Sequence, residues 1–240
     1  MTSKIDSEIK KFSLIAKDWW KKDGKFKILH QFNKARIDFI DNSIKQYNED
    51  NNIKNQTILD IGCGGGLLSE PFYKKGFSVV GIDASEESIY QATQHSKIDN
   101  LNIKYITTTA EELLASDKHQ YDIIFAMEII EHIANPNTFI DTISQLLKPN
   151  GLIFISTINR NIKSLLLAKF SAEYILNWLP KGTHSYNKFI TPAEVSTLLN
   201  THHLFIQDIK GIDFNIFNNT WNLQNKPQVN YILCAKKLTK

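Results

Sequence analysis

Four glycines stand within five residues, at positions 62, 64, 65 and 66, in the run T-I-L-D-I-G-C-G-G-G from Thr57 to Gly66. The whole chain holds only ten glycines, so this concentration marks a bend where the backbone takes positive φ or touches a ligand closely. The apolar, β-branched residues ahead of it place the bend after a buried strand, where nucleotide-like ligands are held. A dinucleotide fingerprint G-x-G-x-x-G begun at Gly62 would need glycine at 67, and Leu67 stands there. The pattern that fits is D-x-G-x-G-x-G, with Asp60 at the strand end and Gly62, Gly64 and Gly66 in the bend. About twenty residues on, S-V-V-G-I-D ends in Asp83, where a carboxylate accepts hydrogen bonds from both hydroxyls of a ribose; capping the helix near Ser85 is the competing reading. A third cluster, Glu128, Glu131 and His132, follows Y-D-I-I-F-A-M at i, i+3 and i+4, one face of a turn if that segment is helical.

Those residues need strands to carry them. Short β-branched runs at Ser78 to Ile82, Ile103 to Thr107, Tyr121 to Ala126 and Leu152 to Thr157 alternate with helical stretches near 67–75, 85–96, 109–115 and 136–147. That alternation predicts a parallel sheet wrapped by helices. Ahead of it, apolar spacing predicts two opening helices over 8–20 and 33–47, then a polar loop over 46–56. After a segment spanning 159–189, Thr191, Pro192 and Glu194 form a helix start. Two last strands, Leu204 to Lys210 and Val229 to Ala235, have no crossover helix between them and predict an antiparallel pair.

Composition excludes several classes. Twenty-eight Lys plus Arg against 25 Asp plus Glu leave a net charge of +3, too little for a nucleic-acid grip, so no nucleic-acid partner is expected. Two cysteines, Cys63 and Cys234, with no C-x-x-C pair argue against a disulfide framework or a structural zinc. The first fifteen residues lack the apolar core of a secretory signal, and no long uncharged apolar stretch occurs, so a cytoplasmic location is expected.

The glycine bend resembles the S-adenosylmethionine loop of seven-stranded methyltransferases. The resemblance narrows to the ubiquinone biosynthesis O-methyltransferase family through D-W-W-K-K-D-G-K-F-K-I-L-H (Asp18 to His30), M-E-I-I-E-H, S-T-I-N-R-N (Ser156 to Asn161), A-E-Y-I-L-N-W-L-P-K-G-T-H (Ala172 to His184) and K-F-I-T-P-A-E (Lys188 to Glu194). It runs from about Ile9 to about Ala235. Where relatives usually carry Asn-Pro-Leu-Arg ahead of the second helix, this chain has Asn33, Lys34, Ala35 and Arg36.

The resemblance implies a single α/β domain of the class I, Rossmann-like type: a doubly wound, seven-stranded, mostly parallel sheet with N-terminal helices over 8–47, a core over 57–157 and 191–236, and a helical lid over 159–189. It implies methylation of phenolic or catecholic hydroxyls on polyprenylated ubiquinone precursors, 2-polyprenyl-6-hydroxyphenol and 3-demethylubiquinol. S-adenosylmethionine would be held by Arg36, Asp60, Gly62, Gly64, Asp83 and Met127, with the guanidinium on the methionine carboxylate. The hydroxyl proton would pass to His132 held by Glu131, or a magnesium ion on Glu128, Glu131 and His132 would lower its pKa. The apolar run 162–179, flanked by Lys163, Lys169, Trp178 and Lys181, fits either a lid or a peripheral contact with the cytoplasmic membrane. Membership in a complex of ubiquinone-biosynthesis enzymes is a further expectation. The rival readings are another small-molecule methyltransferase, an NAD-dependent oxidoreductase, and a lipid-binding module without turnover.

Overall fold

The computed structural model describes residues 9–10, 13–14, 16–21, 23–24, 26–47, 56–161, 164, 188–215 and 220–238. In chain order these form α1 (Lys27–Tyr47), β1 (Thr57–Ile61), α2 (Ser69–Lys74), β2 (Ser78–Asp83), α3 (Glu86–Ile98), β3 (Lys104–Thr107), α4 (Ala110–Ser116), β4 (Tyr121–Met127), α5 (Pro136–Leu146), β5 (Leu147–Ile158), α6 (Pro192–Thr201), β6 (Leu204–Asn215), β7 (Thr220–Gln224) and β8 (Asn230–Lys237). Short 3-10 turns lie at Ala16–Asp18 and Ile130–His132.

All eight strands join one sheet in the order β3-β2-β1-β4-β5-β8-β6-β7. The pairs β1·β2, β1·β4, β2·β3 and β4·β5 are parallel, and β8 enters antiparallel between β5 and β6. The late antiparallel pair is as expected, but the sheet has one strand more than the seven expected. Residues 220–224, within the Asn-rich connection, alternate Trp221 and Leu223 toward the core and pair with Gly211–Asn215. Phe32 of α1 meets Trp221 edge to face at 5.1 Å, which gives this short strand an apolar surface to pack on.

One sheet face is covered by Leu113, Phe139, Ile140, Ile143, Val195 and Leu199 from α4, α5 and α6, the other by Phe32, Phe39, Ile40 and Phe72 from α1 and α2. Each fully buried side chain of this size contributes roughly 2 kcal/mol of transfer free energy. Register at the entry end is pinned by Asp122, whose Oδ2 accepts from Thr57 N and Thr57 Oγ1, each at 2.8 Å, while Lys148 Nζ donates to both oxygens at 2.9 Å. β1, β4 and β5 are thereby aligned, and their exit ends present the bend and the acidic cluster at one edge.

The opening helices differ from expectation. The second starts at Lys27, so Asn33–Arg36 lies inside α1 and the missing proline has no helix start to serve. Of the first, residues 9–10 and 13–14 are helical as expected, but 16–18 make a 3-10 turn and Trp19 and Trp20 a tight turn, because both indoles swing toward the glycine bend instead of staying on a helix face. Thr191 caps α6 as predicted, with Glu194 closing the capping box. The run 162–179 and the string 172–184 lie outside the described residues, Ser164 apart.

Candidate active site

β1 and β4 are neighbours whose onward crossovers run to opposite sides of the sheet, and the crevice at such a switch point is where open α/β sheets bind ligands. Gly62 leaves β1 with φ +68° and Met127 ends β4, so the bend and the end of β4 meet there. Gly62 N and Cys63 N both donate to Ile82 O, at 2.8 and 3.0 Å, tying the bend to β2. Gly64, at φ +54°, could carry no side chain without strain, and a Cβ there would also run into the ring of Trp19.

Asp83 faces the bend. Its Oδ2 accepts from Gly64 N at 3.0 Å and its Oδ1 from Ser85 N at 2.7 Å, and burial raises its pKa. The cap of α3 is Ser85, whose Oγ accepts from Ser88 N at 3.2 Å, which leaves Asp83 to the bend. Asp60 is buried and accepts from Ser69 Oγ at 2.5 Å through Oδ2; burial pushes its carboxyl up to about 7 against the opposing effect of that bond. Its described partner is thus at the start of α2, so Asp60 ties the bend to that helix.

Arg36 is only 6% exposed. Its Nη2 donates to Glu128 Oε1 at 3.0 Å, Phe32 lies 4.3 Å beneath its guanidinium carbon, and its Nε is buried with no partner. Glu128 also accepts from Ser156 Oγ at 2.7 Å, and its backbone sits at φ +52°. Glu131 is 2% exposed; Oε2 accepts from Thr157 Oγ1 at 2.8 Å, while Oε1 is buried without a partner. Burial first, and the neighbouring Glu128 charge second, push Glu131 up to about 8. His132 ends the 3-10 turn, half-buried.

The even spacing of the acidic cluster therefore does not make one helix face. The left-handed residue at 128 turns its carboxylate to Arg36 and Ser156, and the 3-10 turn sends Glu131 to Thr157. Among the described residues no group of three or more His, Cys, Asp and Glu side chains could hold a metal ion, so the expected magnesium set does not assemble and no step below runs through one. Glu131 also lines a cavity of about 710 Å³, whose other walls include Ile133, Pro136, Phe189, Ala193 and Leu198, with Arg160 beside them. That size suits a small organic ligand.

Sequence reasoning assigned no role to Trp19, Trp20, Ser69, Ser156 or Thr157. Four of these lie in D-W-W-K and S-T-I-N-R-N, strings that carry the family resemblance, but nothing in their spacing shows that the indoles reach the bend or that the hydroxyls hold the two glutamates.

A family model described as a methyltransferase domain matches residues 29–204. The ubiquinone biosynthesis O-methyltransferase of Pelagibacter ubique is 47% identical over 97% of this chain and 98% of its own length. That of Rickettsia typhi is 44% identical over 99% and 95%. The chain belongs to the ubiquinone biosynthesis O-methyltransferase family. Solved folds agree: a possible histamine N-methyltransferase from Thermotoga maritima superposes with a TM-score of 0.66 at 13% identity, over 96% of this chain and 99% of that one. A magnesium protoporphyrin IX methyltransferase from Synechocystis, solved with bound S-adenosylhomocysteine, gives 0.59 at 18% identity over 86% and 85%. The chain is an S-adenosylmethionine-dependent methyltransferase of the class I fold. Membership in this family removes the NAD-dependent oxidoreductase as a reading.

Proposed function

We propose that this methyltransferase transfers a methyl group to a phenolic or catecholic hydroxyl of a polyprenylated ubiquinone precursor, with Glu131 as the proton acceptor. The observation that carries the reading is the buried Glu131 carboxylate, whose Oε1 faces no donor and which lies against Glu128, on a residue that also lines a cavity of mixed apolar and charged walls.

The residues present fit S-adenosylmethionine. The three positive-φ glycines let the bend turn sharply beneath Trp19, Ile129 and Tyr105, Asp83 offers a carboxylate at the ribose position, and the orphaned Arg36 Nε offers a donor to the methionine carboxylate. When bound, that cofactor supplies an electrophilic methyl on a sulfonium and leaves as a neutral thioether. Gly62, Gly64, Asp60 and Met127 shape the crevice around it.

What this chain must supply is a nucleophile. A phenol has a pKa near 10, so under ~1% is ionised at neutral pH. Passing its proton to a carboxylate of ordinary pKa is steeply uphill, and the upward shift of Glu131, caused by burial and by the Glu128 charge, removes a large part of that gap. The burial that raises Glu131 thus makes it a stronger base, and Thr157 fixes one oxygen while the other faces no donor.

The apolar tail of such a substrate partitions into lipid, and the composition of 162–179 supports peripheral attachment to the inner face of the cytoplasmic membrane, where other enzymes of the pathway would hand over their products. No helix among the described residues is long and apolar enough to cross a membrane.

The deciding experiment is methyl transfer from labelled S-adenosylmethionine to a short-chain prenylated catechol, alongside calorimetry with S-adenosylhomocysteine and with NAD. Methylation at oxygen with S-adenosylhomocysteine binding supports the reading; cofactor binding without transfer to any prenylated phenol overturns the substrate. Co-sedimentation with anionic liposomes tests the membrane contact, and a variant lacking 162–179 that co-sediments equally well removes that segment from it.

A further inference from the structure

Glu128 occupies a backbone conformation in which glycine would be comfortable and a glutamate is not. Such strain persists where the surroundings fix the residue, and here both ends of it are fixed. Its backbone N donates to Ser156 O at 2.9 Å, and its Oε1 accepts from Ser156 Oγ at 2.7 Å and from Arg36 Nη2 at 3.0 Å. Arg36 crosses from the middle of α1, 92 residues earlier in the chain, to meet it. With Phe32 against one face and Glu128 on Nη2, the guanidinium is confined, and the buried Nε remains as a donor with no partner in the protein.

We infer that Glu128 is a positioning residue for Arg36, turned out of regular geometry to hold the guanidinium where its free edge takes the carboxylate of the cofactor's methionine end, and that it acts on the cofactor through Arg36 instead of ligating a cation. This rests on the reading of Arg36 as the carboxylate clamp. A guanidinium on a long flexible side chain binds an anion best when its orientation is set in advance. Without Glu128 the buried arginine would lose its one hydrogen-bonded carboxylate and keep only the charge interactions with Glu131 and Asp60.

The test compares two ligands by calorimetry on the full chain. S-adenosylhomocysteine carries the amino-acid carboxylate; 5′-methylthioadenosine keeps the nucleoside and the thioether and lacks it. In E128A, S-adenosylhomocysteine binding should weaken about tenfold while 5′-methylthioadenosine binding stays within twofold, and E128Q, which keeps an acceptor oxygen, should lie between wild type and E128A. Equal weakening for both ligands in E128Q, or no weakening for either in E128A, overturns the inference, as does a loss in E128Q seen only when magnesium is present. R36K separates the two layers. If R36K fails to discriminate the ligands, the clamp reading of Arg36 falls; if R36K discriminates and E128A does not, only the role of Glu128 falls.

Discussion

Trp20 stacks on His95 with ring centroids 3.3 Å apart and planes 2° from parallel, and the same indole donates through Nε1 to Gly65 O at 2.9 Å. His95 in turn donates through Nδ1 to the buried Glu70 of α2, at 2.7 Å. Beside it, Trp19 lies on Gly64 and Gly65, stacked on Phe26 with centroids 3.8 Å apart, and its carbonyl accepts from His30 Nε2 at 2.7 Å. Trp19 and Trp20 are thus latched across the glycine bend, onto α2 and α3 on one side and α1 on the other.

Removing the latch should loosen the cofactor. A stacked pair is worth about 1 kcal/mol and the indole bond about as much again, so Trp20→Ala should speed S-adenosylhomocysteine dissociation by roughly 10- to 30-fold. Trp20→Phe, which keeps the stack and loses the bond, should show a smaller change. Stopped-flow displacement of the bound product reads both, and an unchanged off-rate in Trp20→Ala would show that the strap does not cover the cofactor.

Asp83 should behave in the opposite way to Glu128. Its two oxygens are held by Gly64 N and Ser85 N, which present the carboxylate to the nucleoside end of the crevice. A charge-assisted bond of this kind is worth about 2 kcal/mol, so Asp83→Ala should weaken 5′-methylthioadenosine and S-adenosylhomocysteine alike, by roughly 30-fold. Calorimetry that finds a loss confined to S-adenosylhomocysteine would place Asp83 away from the ribose.

Much of this frame is legible in the residues because burial on both faces of a parallel sheet demands continuous β-branched runs, and Thr57–Ile61, Ser78–Asp83 and Tyr121–Met127 are such runs. The bend at 62–66 is legible for a related reason, since side chains rarely adopt the conformation at Gly64 and a Cβ there would meet the Trp19 ring. The rest depends on tertiary contacts. Trp19 and Trp20 sit at helical spacing with Phe12 and Ile15, yet their rings find more apolar and stacking surface on the bend than a helix face would give them. The spacing of Glu128, Glu131 and His132 imitates a helical face; the positive φ at Glu128, with its bonds to Ser156 and Arg36, breaks that geometry while the Glu128 and Glu131 carboxylates stay in contact. Strand β7 hides because Trp221 and Leu223 are its two inward residues, set among asparagines, and only the presence of α1 gives them something to pack on.

Turnover should follow the ionisation of Glu131. Because only the carboxylate can take the hydroxyl proton, kcat should rise with pH through the raised pKa of Glu131, be half-maximal there, and level off about one unit above it. Glu131→Gln should lower kcat by at least about 100-fold with little change in S-adenosylhomocysteine affinity. Thr157→Val tests the wiring: its hydroxyl bond favours the ionised form, so losing it should move the limb to higher pH and lower the rate at pH 7 while leaving the plateau closer to wild type. A pH profile that stays in place in Thr157→Val would detach the limb from Glu131.

The same buried carboxyls make stability depend on pH in a defined direction. Glu131 at about 8 and Asp60 at about 7 both lie above their ordinary values near 4, so the folded chain binds more protons than the unfolded one between those limits. Their stabilising protonated forms are fully present below about pH 4 and are lost as pH rises through 7 and 8. The wild-type Tm contribution from these groups should therefore fall from pH 5 to pH 8.5. Glu131→Gln removes one of the two titrations and should raise Tm relative to wild type at pH 8.5 more than at pH 5, by roughly 2 to 4 °C for each kcal/mol of ionisation cost removed. Scanning calorimetry at the two pH values checks this, and a Tm difference between variant and wild type that is the same at both would mean that Glu131 ionises as readily in the folded chain as in the unfolded one, which would also take away its strength as a base.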